Sequence, residues 1–166
     1  MEVVEGTATV ADVDAFVSEL GEIGGEHGCA VQAFDARYVV DRRHLERAVA
    51  CADRARAQGE AIADDHAVEV LLYAAGRRQI SRALEMGVSE GECPVAVVVH
   101  GVTDSANEAD AATAVTNLVE PAETLGAFGE GHIRDYFDVS DRELAATDAD
   151  LSVLVTERVA LLSVEK

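Results

Sequence analysis

The sequence predicts an α/β (α+β) fold, a single helix-rich domain over residues 1–166 packed around a small β-sheet. Three observations lead there. PVAVVVHG (94–101) is a continuous β-branched run, the strongest strand in the chain and one expected to be covered on both faces. Several segments repeat apolar residues at i, i+3, i+4 behind an Asp or Ser, the pattern of capped amphipathic helices. The composition is 49% hydrophobic with only two prolines, which fits a globular chain rather than a disordered one.

In chain order, EVVEGTATV (2–10) is β-branched and partly alternating, a first strand. Asp12 precedes Val13, Phe16, Val17 and Leu20, a short helix, and GEIGGEHG (21–28) reads as a glycine-rich turn. AVQAF (30–34) is a buried second strand. Asp41 caps a helix with Leu45, Ala48, Val49 and Ala52 inward that ends near Gly59. Asp64 or Asp65 caps the next, with Val68, Leu71, Leu72 and Ala75 inward. After the 94–101 strand, Ser105 is placed as the cap of a helix carrying Ala111, Val115 and Leu118 and ended by Pro121. GAFGEG (126–131) is loose, and SDRE (140–143) is a capping box opening a short helix. The last segment sets Leu151, Leu154, Val155, Val159 and Leu162 at helical spacing, while Val153, Ala160 and Leu161 fall outside that stripe.

Charge and cysteine usage narrow the function classes. The three cysteines are scattered with no CxxC pair, which points to free thiols in a reducing, cytoplasmic setting. No apolar run approaches the ~20 residues of a membrane span, and MEVVEGTATV is not a signal peptide. The net charge of −19, with Lys166 the one lysine, fits a protein adapted to molar salt, where charges are screened within about 3 Å. Residues 37–82 depart from that balance, with nine arginines against seven acids. An arginine-rich face suits phosphate or a carboxylate-rich partner; the alternative is i,i+4 pairing with Glu46 and Asp53 on solvated helix faces. Catalytic patterns are missing: no Walker loop, nucleophile elbow or HExxH helix occurs, and the five histidines are far apart. The expectation is a non-enzyme without metal or cofactor.

The segment LLYAAGRRQISRALEMGV (71–88) is the most informative. On one continuous helix with Leu72 at zero, Val68, Ala75, Ala83 and Met86 share a stripe within about 60°, and Gln79 falls at its centre, about −20°. A helix that stops at Gly76 removes this conflict. It restarts the register with Ile80, Ala83 and Leu84 inward and sets Arg77, Arg78 and Gln79 at a helix start, suited to a phosphate or a base edge. The competing reading is an arginine corner with Gln79 capping backbone groups.

The run from His44 to Val88, with EVLLYAAGRRQISRA (69–83) its most specific piece, and the late ERVALLS (157–163) resemble the small kinase-binding subunit of the KEOPS complex. Its members are the archaeal relatives of the eukaryotic PRPK-binding protein TPRKB, and the acidity resembles a haloarchaeal member. The resemblance implies a non-catalytic subunit in threonylcarbamoyl-adenosine modification of tRNA. It implies direct binding to the small atypical kinase, indirect association with other KEOPS subunits, and a grip on the single-stranded 3′ CCA tail of tRNA. Carried onto this chain, it assigns the tail to Arg77, Arg78, Gln79, Ile80 and Arg82. The kinase is assigned to the off-stripe apolar residues Val153 and Leu161. The alternative is a purely structural kinase-binding adaptor without RNA contact.

Overall fold

A computed structural model of the chain describes residues 1–147 and 150–165. Strand β1 (Glu2–Val10), helix α1 (Val13–His27) and strand β2 (Cys29–Asp35) come first. A 3-10 turn at Ala36–Tyr38 leads into α2 (Arg42–Ala57), α3 (His66–Ala75) and the one-turn α4 (Ile80–Ala83), which a 3-10 turn extends over Leu84–Met86. Then follow β3 (Gly91–Gly101), α5 (Glu108–Thr116), β4 (Glu120–Pro121), α6 (Glu130–Phe137), α7 (Asp141–Ala145) and α8 (Leu151–Glu165). Among the described residues, no helix is long and apolar enough to cross a membrane. The chain divides into two compact units, one of Met1–Ala36 with Gly87–Thr124, the other of Arg37–Met86 with the chain from Leu125 onward.

The first unit is an antiparallel sheet in the order β2-β3-β1-β4 with α1 and α5 packed on it. The β-branched run puts β3 at the centre, where Val97 faces Val4 on one side and Ala33 on the other. Residues of both parities along β3, Val95 through Val99, are buried, as a continuous apolar run requires. Phe16 and Leu20 of α1 and Ala111 and Val115 of α5 close the core over Val31, Val95, Val97 and Val99. Each large side chain buried there contributes about 1.5–3 kcal/mol.

Two helices differ in their boundaries from the sequence pattern. Helix α1 runs through the glycines at 21, 24 and 25 to a left-handed cap at Gly28, and of those three Gly24 is the one packed closely against a neighbour. A Cβ at Gly24 would stand 2.5 Å from the Cys29 carbonyl oxygen, so α1 lies against β2 as only glycine allows. Helix α5 is capped by Asn107, whose side chain accepts the Asp110 N–H at 3.0 Å, not by Ser105. It stops at Thr116, and Pro121 instead sits in the edge strand β4 opposite Gly6.

The second unit is helical. Leu45, Ala48, Val49 and Ala52 of α2 are buried, and so is every residue of α3 from Glu69 to Ala75. Leu154, Val155, Val159 and Leu162 give α8 its inward face. The alanines let α2 approach α3 and α8 closely. Local chemistry starts each helix: Asp41 accepts the His44 N–H, Asp65 the Ala67 N–H and Ser140 the Glu143 N–H, all within 3.0 Å. Helix α6, which begins at Glu130 inside the glycine-rich stretch 126–131, had no signature in the sequence pattern.

His44, fully buried at the start of α2, ties α2 to α3. Its Nδ1 accepts the Val40 N–H at 3.3 Å, so the ring proton sits on Nε2, which donates to the Ala74 carbonyl at 2.7 Å. Burial pushes the imidazole below its ordinary value, against the opposing pull of the Ala74 carbonyl and Asp41. The unfolded chain binds this proton near pH 6.5 and the folded chain resists it. The ring's contribution is therefore complete above about pH 6.5 and is lost as pH falls through the lower folded value. In urea unfolding from pH 7.5 to pH 5, His44→Gln should be less stable than the parent at pH 7.5, with the gap narrowing towards pH 5. A gap that stays constant with pH contradicts the neutral, buried ring.

Candidate functional site

The helical stop at Gly76 organises the site. Gly76 takes left-handed angles, φ 63° and ψ 32°, and its N–H reaches the carbonyls of Leu72 and Tyr73. The Arg77 N–H then bonds the Leu72 carbonyl at 3.1 Å, so the last α3 carbonyls are satisfied and the helix cannot continue. Three residues later α4 begins, with Gln79 exposed at its cap position and making no side-chain cap bond. Gln79 is not buried, and the conflict in the one-helix reading disappears. Helix α4 is a single turn, too short for a sizeable helix dipole to act at its start.

The break sends the neighbouring side chains different ways. Arg77 turns inward: its guanidinium donates to the Tyr136 carbonyl, lies 3.4 Å from Asp138 and stands 5.4 Å over the Tyr136 ring. Arg158 meets the same corner, donating to the carbonyls of Phe137 (3.1 Å) and Asp138 (3.2 Å) and pairing with Glu143 at 2.7 Å. Two guanidinium groups thus satisfy the last carbonyls of α6, where Asp138 holds a left-handed cap at φ 56°. The Arg158 bond holds Glu143 below the usual carboxylate range.

Arg78, Ile80 and Arg82 face outward. Arg78 makes no ion pair or hydrogen bond among the described residues and lines a hollow of about 570 Å³ with Glu60, Ala61, Ile62 and Ser163. Buried Glu69 fixes the far rim, its carboxylate accepting the N–H of Ile62 (2.7 Å) and of Ala63 (2.9 Å). Of the three residues expected inward, only Ala83 is buried; Ile80 and Leu84, one turn apart, are 49% and 57% exposed, so this edge is apolar as well as cationic. Arg82 stands 3.8 Å from Glu85, a solvated pair of small worth.

A second surface lies along α2 and α8. With Val153 at zero on the helical wheel of α8, Ala160 and Val164 fall within about 20°, opposite the buried stripe, and Leu161 lies at about 80°, on its margin beside Leu154. Val153 and Leu161 are 45% and 44% exposed. Val153 and Ala160 line a groove of about 310 Å³ with Thr156, Glu157, Arg43 and Arg47. On α2 the expected i,i+4 pairing is seen for Arg42 with Glu46 at 3.1 Å, and Asp53 meets His66 at 2.8 Å. Arg43, Arg47 and Arg54 lie within about 40° of one another and carry no ion pair among the described residues.

The structure therefore brings Arg78, Gln79, Ile80 and Arg82 onto one exposed segment, sets Arg77 inside it, and places Val153 and Leu161 on the outer face of α8. Sequence reasoning missed Glu69 and the Arg158 contacts, whose partners lie at the loop and at α6. A Cβ at Gly76 would sit 3.3 Å from the Arg158 carbonyl oxygen in a backbone region unfavourable to alanine. Gly76→Ala should lower unfolding free energy by about 1–2 kcal/mol in denaturant titration, and an unchanged midpoint would contradict the left-handed stop.

No curated protein sequence matches the chain. The family model described as kinase binding protein CGI-121 matches residues 9–163, which takes in both units and both surfaces. The chain belongs to the kinase binding protein CGI-121 family.

Proposed function

We propose that the chain is the kinase-binding, non-catalytic subunit of a cytoplasmic KEOPS complex serving threonylcarbamoyl-adenosine modification of tRNA. In this reading it holds the small atypical kinase directly, meets other KEOPS subunits through it, and grips the single-stranded 3′ CCA tail of tRNA. Family membership supports the kinase role. The observation that carries the RNA role is the stop at Gly76, which leaves Arg78 without an internal partner beside Ile80 and Arg82.

Exposed arginine suits bidentate phosphate contact, and exposed Ile80 and Leu84 give bases an apolar wall. Arg77 supports the edge from inside by anchoring it to the end of α6. For the kinase, the groove at Val153 and Ala160 joins an apolar floor to a margin of Arg43, Arg47, Asp41 and Glu157, so it suits an apolar partner surface with charged residues at its edge. A second reading, an adaptor with no RNA contact, is favoured by one observation: Arg77 and Arg82 both have internal acidic neighbours.

Binding of the purified chain to full-length tRNA and to tRNA lacking CCA, in molar potassium chloride that matches the acidic surface, separates the two. The RNA reading expects retention that depends on the tail and falls by about 10-fold or more in Arg78→Glu, with kinase binding unchanged. Absent retention supports the adaptor, and retention that ignores the tail removes the CCA assignment while contradicting the adaptor as well. Val153→Asp should weaken kinase capture by about 10-fold or more while leaving tRNA retention intact. Unchanged capture removes α8 as the kinase surface.

A further inference from the structure

A small hollow between the turn before α2 and helix α6 has a chemistry unlike that of the arginine edge. Tyr38, on the 3-10 turn, meets His132 and Tyr136, one turn apart on α6. The Tyr38 and His132 ring centroids are 4.3 Å apart with planes inclined by 62°, and Tyr38 and Tyr136 are 5.1 Å apart at 80°. With Arg82, Glu85 and Asp135 these rings line a space of about 190 Å³. We infer that this hollow receives the guanidinium of an arginine side chain presented by a partner protein. The inference goes beyond the proposed function and does not depend on its RNA reading.

Charge decides the sign of the ligand. Glu85 and Asp135 set two carboxylates against the one guanidinium of Arg82, a net of −1 with the His132 imidazole neutral. Arg82 does not neutralise both: it reaches Glu85 only at 3.8 Å, with half of its side chain in solvent. Asp135 is exposed and makes no ion pair or hydrogen bond among the described residues. Burial pushes the Tyr136 hydroxyl up to about 12, so it stays uncharged, and it is engaged by the Arg82 carbonyl at 2.7 Å. The hollow attracts a cation and opposes a phosphate or a carboxylate.

The rings decide which cation. An ammonium is compact and strongly hydrated. A guanidinium is planar and weakly hydrated, and it can lie on a ring while its N–H fork meets carboxylates at the margin. The protein already builds this arrangement once on the same group of rings. The Arg77 guanidinium stands 5.4 Å over the Tyr136 ring and 3.4 Å from the Asp138 carboxylate. At the opening the ring is Tyr38, half-buried and held by its two ring neighbours, and the acids are Glu85 and Asp135. Size fixes the source. A space of about 190 Å³ lies below the ~300 Å³ at which pockets for whole small molecules begin, so it takes the tip of a side chain carried by a larger surface.

The test follows the ring resonances of Tyr38 and His132 in the intact protein, at the lowest potassium chloride concentration that keeps it folded. Three blocked tripeptides are added in turn, with arginine, lysine or citrulline between two glycines; citrulline keeps the shape of arginine without its charge. The inference expects saturable shifts with the arginine peptide, binding about 2- to 5-fold weaker with lysine, and no saturable shift with citrulline. Asp135→Asn should keep the melting temperature and bind the arginine peptide about 2- to 5-fold more weakly, as loss of an exposed ion pair does. Rings unmoved by the arginine peptide would overturn the inference, as would citrulline binding as tightly as arginine, or parental affinity in Asp135→Asn. Lysine binding as tightly as arginine would overturn the choice of a guanidinium. Free arginine binding more tightly than the arginine peptide would overturn the assignment to a protein side chain.

Discussion

The site depends on one left-handed residue. Without Gly76, the apolar pattern of α3 would run on into residues 77–86 as a single helix, and Gln79 would turn into the core. With it, α3 ends in a closed set of hydrogen bonds from Gly76 and Arg77 to Leu72 and Tyr73, and the chain changes direction. The stop is held from several sides. His44 bonds the Ala74 carbonyl just before it, and the Arg158 backbone lies close enough that any side chain at 76 would crowd it. A local backbone preference is thereby locked into tertiary packing.

The arginines of this region divide into two kinds, and the difference is one of partners rather than sequence. Arg77 and Arg158 end on the carbonyls of Tyr136, Phe137 and Asp138, where α6 would otherwise leave acceptors unpaired. Arg78, Arg43, Arg47 and Arg54 have no such acceptors among the described residues. In a chain of net charge −19, arginines left outside ion pairs are conspicuous, since acidic neighbours are plentiful. Arg78 follows the Gly76 stop near exposed Ile80 and Leu84, while Arg43 and Arg47 line the groove with Val153 and Ala160.

Much of this was legible in the sequence because its causes are local. Asp41, Asp65 and Ser140 each cap a helix through a contact two or three residues away, and the β3 run needs no partner to be read as buried. The Gly76 stop was legible because a buried glutamine was the alternative. What was hidden depends on distant partners. Arg77 meets residues about sixty positions later, His44 meets Ala74, and Tyr38 meets α6. Gly24 misled for a related reason: it looks like a turn residue, but its lack of a side chain serves a contact with Cys29. Aromatic residues are only 4% of the chain, yet the fold gathers Tyr38, His132 and Tyr136 at one opening.

The central claim is that the segment after Gly76 is displayed to hold a single-stranded tRNA end. Amide hydrogen exchange of the chain in molar potassium chloride, alone, with full tRNA and with tRNA lacking its CCA tail, tests it most directly. The account predicts protection of residues 78–85 by full tRNA that disappears with the trimmed molecule. Protection that ignores the tail, or that leaves residues 78–85 exchanging at the free rate, would contradict it.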